Sequence, residues 1–320
     1  MFFSGKAEGV IFWEHVDNWA NSLHEAAHKK SRQKIIMKIL PFPMPPLYLQ
    51  EKTVKLEYIF QEMGAVLVAF SGGIDSTLVL KVAHCMLGKK AVAVVAVSPT
   101  LPKEELEDVR RISLEIGAEL IMAHTNQLEI PSFVRNDDSR CYHCKTDLYG
   151  IFEPIKQTSG INVVVDGTNL DDLSDDRPGL RAAREYAVRS PLVESGFTKA
   201  DVRSLAQHLG LSNWDKPAAA CLSSRIPRGL VITEVNLRRV EQAERILKEE
   251  GFRQVRVRDH EGIARIEVAQ QEIEYFFEGN RRQRITESLK HLGFRWVTLD
   301  LAGYQAGGGN LGTKENAPSQ

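Results

Sequence analysis

The run Ser71-Gly72-Gly73-Ile74-Asp75-Ser76 gathers two hydroxyls, two glycines and a carboxylate into six residues. It follows an apolar stretch at 65–70 with the composition of a buried strand, and it precedes residues 77–83, which hold no helix breaker. A glycine-rich turn between strand and helix is an anion cradle. Backbone N–H groups can approach phosphate oxygens, the helix N-terminus adds partial positive charge, and serine hydroxyls add donors. No Gly-Lys-Ser/Thr closes the run, so it is not a Walker loop. Asp75 suits an acidic helix N-cap.

The second chemical feature is sulfur. The chain has four cysteines, at 85, 141, 144 and 221, too sparse for a disulfide framework. Arg140-Cys141-Tyr142-His143-Cys144-Lys145 is a CxxC, which can hold zinc, hold an iron–sulfur cluster or act as a redox dithiol. A thioredoxin-like role is disfavoured, because no strand-to-helix turn of the right kind carries the motif. Zinc lacks an obvious fourth ligand, since His143 sits awkwardly between the two thiols. Three thiolates suit a four-iron cluster with one iron free of protein, and such an iron could present an added sulfide, so the cluster is favoured over zinc. Cys85 lies among Val82, Ala83 and Met86 and reads as core.

The elements that position these groups alternate βαβα from residue 65 onward. Strands are expected at 65–70, 91–97, 119–123 and 162–165, with a helix from Pro102 to Gly117 carrying Leu106, Val109, Ile112 and Ile116. Continuous Val/Ile strands between helices imply a parallel sheet covered on both faces. Ligands bind beyond the strand C-termini of such sheets, so Ser71, Ser98 and Asp166 are expected on one edge. After about 227 the order becomes α-β-β-α-β: a helix at 234–250, strands at 252–258 and 263–268, a helix at 270–291 and a strand at 294–301. This predicts a smaller α+β unit with a mainly antiparallel sheet. The fold class is therefore α/β with a smaller C-terminal α+β domain, divided as 51–227 and 228–304. Residues 1–50, ending in the proline cluster 41–46, read as an extension or as sequence upstream of a true start at Met37 or Met44. Residues 305–320 read as a disordered tail.

At 320 residues the chain can bury a sizeable core. Its apolar fraction of 43% and charged fraction of 26% are those of a soluble globular protein. A net charge of −1 supplies no field for nucleic acid or membrane. No spanning segment or signal peptide is visible, so a cytoplasmic location is expected.

The loop at 71–76 resembles the pyrophosphate loop (SGGxDS) of the ATP pyrophosphatases, which cleave ATP between its α and β phosphates. Across about 66–304 the chain resembles the LarE family of ATP-dependent sulfur transferases acting on pyridinium-3,5-biscarboxylate mononucleotide. The resemblance is carried by residues 71–76, 141–145, 166–172, 176–179 and 190–192, then by 214–217, 220–227 and 299–304. It implies that ATP adenylates a pyridinium carboxylate and that a sulfur nucleophile then displaces AMP. Repetition at the second carboxylate gives the dithio ligand of the nickel-pincer cofactor of lactate racemase. The family has a version that sacrifices one cysteine and a version with three cysteines on a [4Fe-4S] cluster. Cys141, Cys144 and Cys221 match the latter, which implies turnover with Cys221 intact.

The resemblance further implies roles for individual residues. Ser71, Gly72, Gly73, Asp75 and Ser76 hold the β and γ phosphates with Asp75 helping to position Mg²⁺, Val97 and Ser98 meet adenosine, and Asp166, Gly167 and Thr168 close the nucleotide site. Lys145 neutralises the α phosphate or departing AMP. Arg256 and Arg258, two apart on a strand, share a face and suit a mononucleotide phosphate with Ser224 nearby; the alternative is a solvated outer face. Glu244 and Glu267 bind divalent cations at subunit contacts by analogy, but on sequence alone look like surface glutamates. Asp171, Asp172, Asp175 and Asp176 read as a solvated loop before a metal site. Members form rings, so a homo-oligomer, a hexamer by analogy, is expected, with a sulfide donor the sequence does not name. The rivals are an iron–sulfur tRNA thiolase, an amidotransferase-type ligase, and a nucleotide-binding module with structural zinc.

Overall fold

The computed structural model describes residues 42–174, 178–217 and 220–305. Most of the expected N-terminal extension, the tail from 306, and Asp175, Asp176 and Arg177 lie outside the described residues.

Four parallel strands form the larger sheet: β1 (Val66–Ala69), β2 (Ala91–Val97), β3 (Glu119–His124) and β4 (Val164–Val165), in the order β3-β2-β1-β4. Register follows from Val66 opposite Ala91, Val92 opposite Glu119 and Leu67 opposite Val164. Arg189 adds one parallel bridge to Val165. Strands this apolar need cover on both faces. One face is covered by α1 (Leu47–Met63), α2 (Ile74–Leu87), α3 (Lys103–Ile116) and α7 (Lys199–His208), with Leu56, Phe60, Leu78, Val79, Ile112 and Val202 in its core. The other is covered by α4 (Arg140–Gly150), α5 (Phe152–Ser159) and α6 (Pro178–Glu185), around Tyr149, Phe152 and Ala182.

α1 opens directly on Pro46 and buries Leu49, so ordered packing begins inside the expected extension. Pro46 is admissible there because the first N–H groups of a helix have no internal partner. α3 runs from Pro102 to a left-handed Gly117, as its pattern predicts.

The smaller sheet holds β5 (Val255–His260), β6 (Ile263–Val268) and β7 (Trp296–Leu299), in that order. Its β5–β6 pair is antiparallel and its shorter β6–β7 pair is parallel, so the sheet is mixed. The reason is the connection: a helical crossover returns the chain beside β6 in the same direction. That crossover is two pieces, a 3₁₀ segment Gln270–Phe277 and α9 (Arg281–His291), broken at Gly279 with φ of 53°. α8 (Glu234–Glu249) packs on this sheet through Ala243 and Leu247. A fourth cluster, Phe133, Leu222, Ile226, Ile232, Leu237 and Val240, joins the two sheet units around the segment that carries Cys221. Among the described residues no helix is long and apolar enough to cross a membrane.

Candidate active site

The glycine-rich loop closes on itself at the end of β1. Ser76 Oγ accepts from Ser71 N at 3.3 Å and donates to Gly73 O at 3.1 Å, and the two serine hydroxyls are 3.1 Å apart. Gly72 has φ of 71°, and a Cβ there would fall 2.9 Å from Val109 Cγ2, so side chains are excluded twice over. Gly73 caps α2 with no side chain bonded to the helix start. The first-turn N–H groups are ones a helix cannot satisfy internally, as an anion cradle requires.

Asp75 is not a cap. It lies in the first turn of α2, accepts from Asn169 Nδ2 at 3.1 Å and pairs with Lys199 at the start of α7. Neither partner is visible from the loop itself, since both arrive through the sheet topology. Asp166, beyond β4, is a buried junction. It accepts from Thr168 N at 3.1 Å, Thr168 Oγ1 at 2.8 Å, Ser190 Oγ at 2.8 Å and Tyr149 Oη at 3.4 Å. Gly167 presses on α2: a Cβ there would lie 2.6 Å from Ser76 N. Ser71, Ser98 and Asp166 therefore follow the ends of three neighbouring parallel strands. Val97 ends β2, with its carbonyl taken by Thr125 N at 3.0 Å. Asp171 accepts from Lys199 N, at the start of α7, at 2.8 Å, and Asp172 accepts from Asn169 N at 3.1 Å.

Sulfur reaches the same edge. Ser98 Oγ is 2.9 Å from Thr100 Oγ1, and Thr100 O accepts from Leu222 N at 2.9 Å, which ties the Cys221 segment to the end of β2. Cys141 and Cys144 occupy the first turn and a half of α4, on one face by their i, i+3 spacing. Arg140 binds both segments, donating to Asn136 Oδ1 at 2.8 Å and to Ser223 O at 2.9 Å. Asn136, fully buried at φ of 56°, donates to the carbonyls of Ile226, Pro227 and Leu230 at 3.2, 2.7 and 2.9 Å. Burial, with charge on Cys221 next, pushes the Cys144 thiol up to about 12. Burial also opposes ionisation of Cys221, but the Arg140 guanidinium, the Ser223 hydroxyl and Arg225 outweigh it and hold that thiol below its ordinary value. The Lys145 ammonium stands 5.6 Å from the Tyr149 ring; Tyr149, ahead of Asp166, holds it above the ordinary lysine value against its burial.

Among the described residues no three His, Cys, Asp or Glu side chains close on a point that one metal ion would occupy. The donor chemistry fits an iron–sulfur site: three electrostatically coupled thiols, with Arg140 Nη2 and Arg228 Nη2 at 3.8 and 4.0 Å from Cys141 Sγ.

The smaller unit grips the Cys221 segment with two buried ion pairs. Arg225, 3% exposed, forms a fork with Glu244 at 2.8 and 2.9 Å and donates to the carbonyls of Ala220 and Cys221 at 2.6 and 3.0 Å. Arg258 forks onto Glu267 at 2.5 and 2.9 Å and donates to Ser224 O at 2.9 Å. Glu244 and Glu267 are thus buried structural partners, which corrects their reading as surface glutamates. On that face Arg258 is buried and Arg256 half-buried, so it is not a fully solvated outer face. Ser224 Oγ donates to Cys221 O at 2.8 Å. Arg256 lies 5.4 Å from the Tyr304 ring, and burial, then Arg225, depresses its basicity.

No family model matches the chain. It is 42% identical over 260 residues to the pyridinium-3,5-bisthiocarboxylic acid mononucleotide synthase of Lactiplantibacillus plantarum, covering 81% of this chain and 94% of that protein. The chain belongs to the LarE family. An uncharacterized protein of Synechocystis is 45% identical over 259 residues, 81% of this chain and 97% of its own. A probable tRNA sulfurtransferase of Methanothermobacter thermautotrophicus is 29% identical over 164 residues, 46% of this chain and 40% of that protein. This LarE-family chain is a sulfurtransferase built on the α/β PP-loop fold.

Proposed function

We propose that the protein converts the carboxylates of pyridinium-3,5-biscarboxylate mononucleotide to thiocarboxylates at the expense of ATP. The observation that carries this is the bond from Leu222 N to Thr100 O, which supports one shared edge for the phosphate loop and the thiol trio. A carboxylate oxygen cannot leave until it is esterified. The substrate carboxylate attacks the α phosphorus, the bond to the β-phosphate oxygen breaks, and pyrophosphate departs. A sulfur nucleophile then adds to the acyl carbon and AMP leaves with the activated oxygen.

The loop N–H groups, Ser71 and Ser76 bind the departing pyrophosphate. Asp75 would hold Mg²⁺, which screens the β and γ phosphates, and Lys199 and Asn169 fix that carboxylate. Val97 and Ser98 meet adenosine, and Asp166, Gly167 and Thr168 close the site. Lys145 offsets charge on the α phosphate and on AMP. Arg256 and Ser224 take the mononucleotide phosphate; Arg258, committed to Glu267, shapes that pocket. Cys141, Cys144 and Cys221 would hold a [4Fe-4S] cluster, which supplies bound sulfide for transfer when present. The product serves nickel-pincer cofactor assembly for a lactate racemase, and a hexameric ring without nucleic-acid substrate completes the reading.

The test is an anaerobic incubation of cluster-loaded protein with ATP, Mg²⁺, sulfide and the biscarboxylate, read by mass spectrometry. Replacement of carboxylate oxygen by sulfur, with several products per chain and Cys221 intact, is expected. ATP cleavage without sulfur in the product overturns the transfer step. Inactivity toward this substrate with thiolation of tRNA moves the protein to the rival class.

A further inference from the structure

Asn213 lies directly beneath the glycine-rich loop and is 4% exposed. Its Nδ2 donates to Gly72 O at 3.0 Å and to Thr77 Oγ1 at 3.0 Å. A carbonyl only accepts, so the nitrogen of the side chain must face Gly72. Its Oδ1 is buried without any partner. An unmet buried acceptor is costly, so what the amide contributes here comes from its nitrogen.

The turn carrying Asn213 is clamped on both sides to α3. Ser212 Oγ donates to Glu115 at 2.7 Å and accepts from Arg111 at 2.8 Å. Lys216 Nζ reaches Glu105 at 2.7 Å and Asp108 at 2.6 Å. Val109, on the same helix, abuts Gly72. Turn, helix and loop therefore form one braced unit around the Gly72 carbonyl.

Gly72 C=O and Gly73 N–H belong to one trans peptide and point in opposite directions. With the carbonyl pinned inward on Asn213, the Gly73 N–H is aimed outward over the cradle. Its partner there is Ser71 Oγ, at a long 3.4 Å. Glycines on both sides of this peptide make its rotation cheap unless something holds it. We propose that Asn213 is a positioning residue that fixes the Gly72–Gly73 peptide with its N–H toward the pyrophosphate moiety of a nucleoside triphosphate, an inference that rests on the phosphate-binding reading above. It acts on the β and γ phosphates and not on the adenosine end.

The probes are inorganic pyrophosphate and AMP, titrated calorimetrically into the full chain. Asn213→Ala is expected to weaken pyrophosphate about tenfold, the scale of one oriented hydrogen bond, and to leave AMP within about twofold. Asn213→Asp keeps the volume but turns a negative acceptor toward Gly72 O, so it is expected to weaken pyrophosphate at least as much. It decides the matter if the alanine variant does not fold. Equal loss for both ligands indicates general loosening and overturns the proposal, as does unchanged pyrophosphate binding. Wild-type protein that binds AMP but not pyrophosphate overturns it while leaving the nucleotide site; binding of neither overturns the phosphate reading too.

Discussion

Replacing Gly167 with alanine tests whether the end of β4 forms one wall of the phosphate cradle. The backbone at Gly167 is not left-handed, so alanine is conformationally admissible there. Its Cβ, however, would stand 2.6 Å from Ser76 N, 2.9 Å from Asp75 C and 3.0 Å from Ser76 Cα, all backbone atoms in the first turn of α2. Backbone cannot swing aside as a side chain does, so strand end and helix must part by about 0.8 Å to reach the 3.4 Å of ordinary contact. Overpacking of this kind costs about 1–3 kcal/mol. Loss of freedom in the unfolded chain returns about 0.4–1 kcal/mol. The balance, at most about 2.6 kcal/mol, predicts a fall in Tm of up to about 10 °C. The effect on turnover is larger, because a displacement near 1 Å in a positioned site costs about a hundredfold. Thermal unfolding and pyrophosphate release from ATP measure the two. Gly150→Ala is the control: its Cβ meets only Tyr186 Oη, at 3.9 Å, so stability and turnover are expected to hold. A Gly167→Ala protein with wild-type Tm and turnover refutes the reasoning.

Glu57 is 1% exposed and neither of its carboxylate oxygens has a partner. Burial moves its carboxyl from 4.5 to about 8, so the folded protein keeps a proton that the unfolded chain releases. Stability is then full below about 4.5 and falls as pH rises through 8; Glu57→Gln should flatten that slope in urea titrations at pH 6 and 9, and parallel curves would sink the idea. Glu244→Gln leaves the buried Arg225 without its counter-charge, a loss of about 3–5 kcal/mol. Limited proteolysis should then cut near Arg225 at a temperature where wild type resists; unchanged cleavage would show that the pair does not hold the turn. Asn136→Ala removes three donations to the 226–230 segment and leaves a β-carbon residue at positive φ, so its melting point should fall further than that of Asn136→Gly.

What the sequence made legible was local. The run at 71–76, the apolar strands on either side of it and the Pro102–Gly117 helix all announce themselves within a dozen residues, and the structure has them in place. What stayed hidden was long-range. Asn213 and Gly72 lie 141 positions apart, Arg140 and the Ser223 carbonyl 83. No spacing rule links such pairs. Glu244 and Glu267 misled for a related reason: a polar residue on the outer face of a helix or strand reads as solvated, yet here that face is covered by the Cys221 segment of the other unit. The 270–291 helix was overextended because its polar composition suits α-helix and 3₁₀ alike, while Gly279 marks the actual break.

The two buried forks on the 220–225 turn also make the thiol trio depend on both units. Cys141 and Cys144 are in place once α4 docks on the larger sheet, but Cys221 is held by Arg225 to α8 and, through Ser224 O, to Arg258 on β5. Along the chain, the residues of the phosphate cradle end at Asn213, ahead of the smaller unit, whereas the groups that hold the third thiol's turn come from Glu244 and Arg258. Removing the residues after Pro227 would take away Glu244 and Arg258, the side chains of the smaller unit that hold the turn carrying the third thiol.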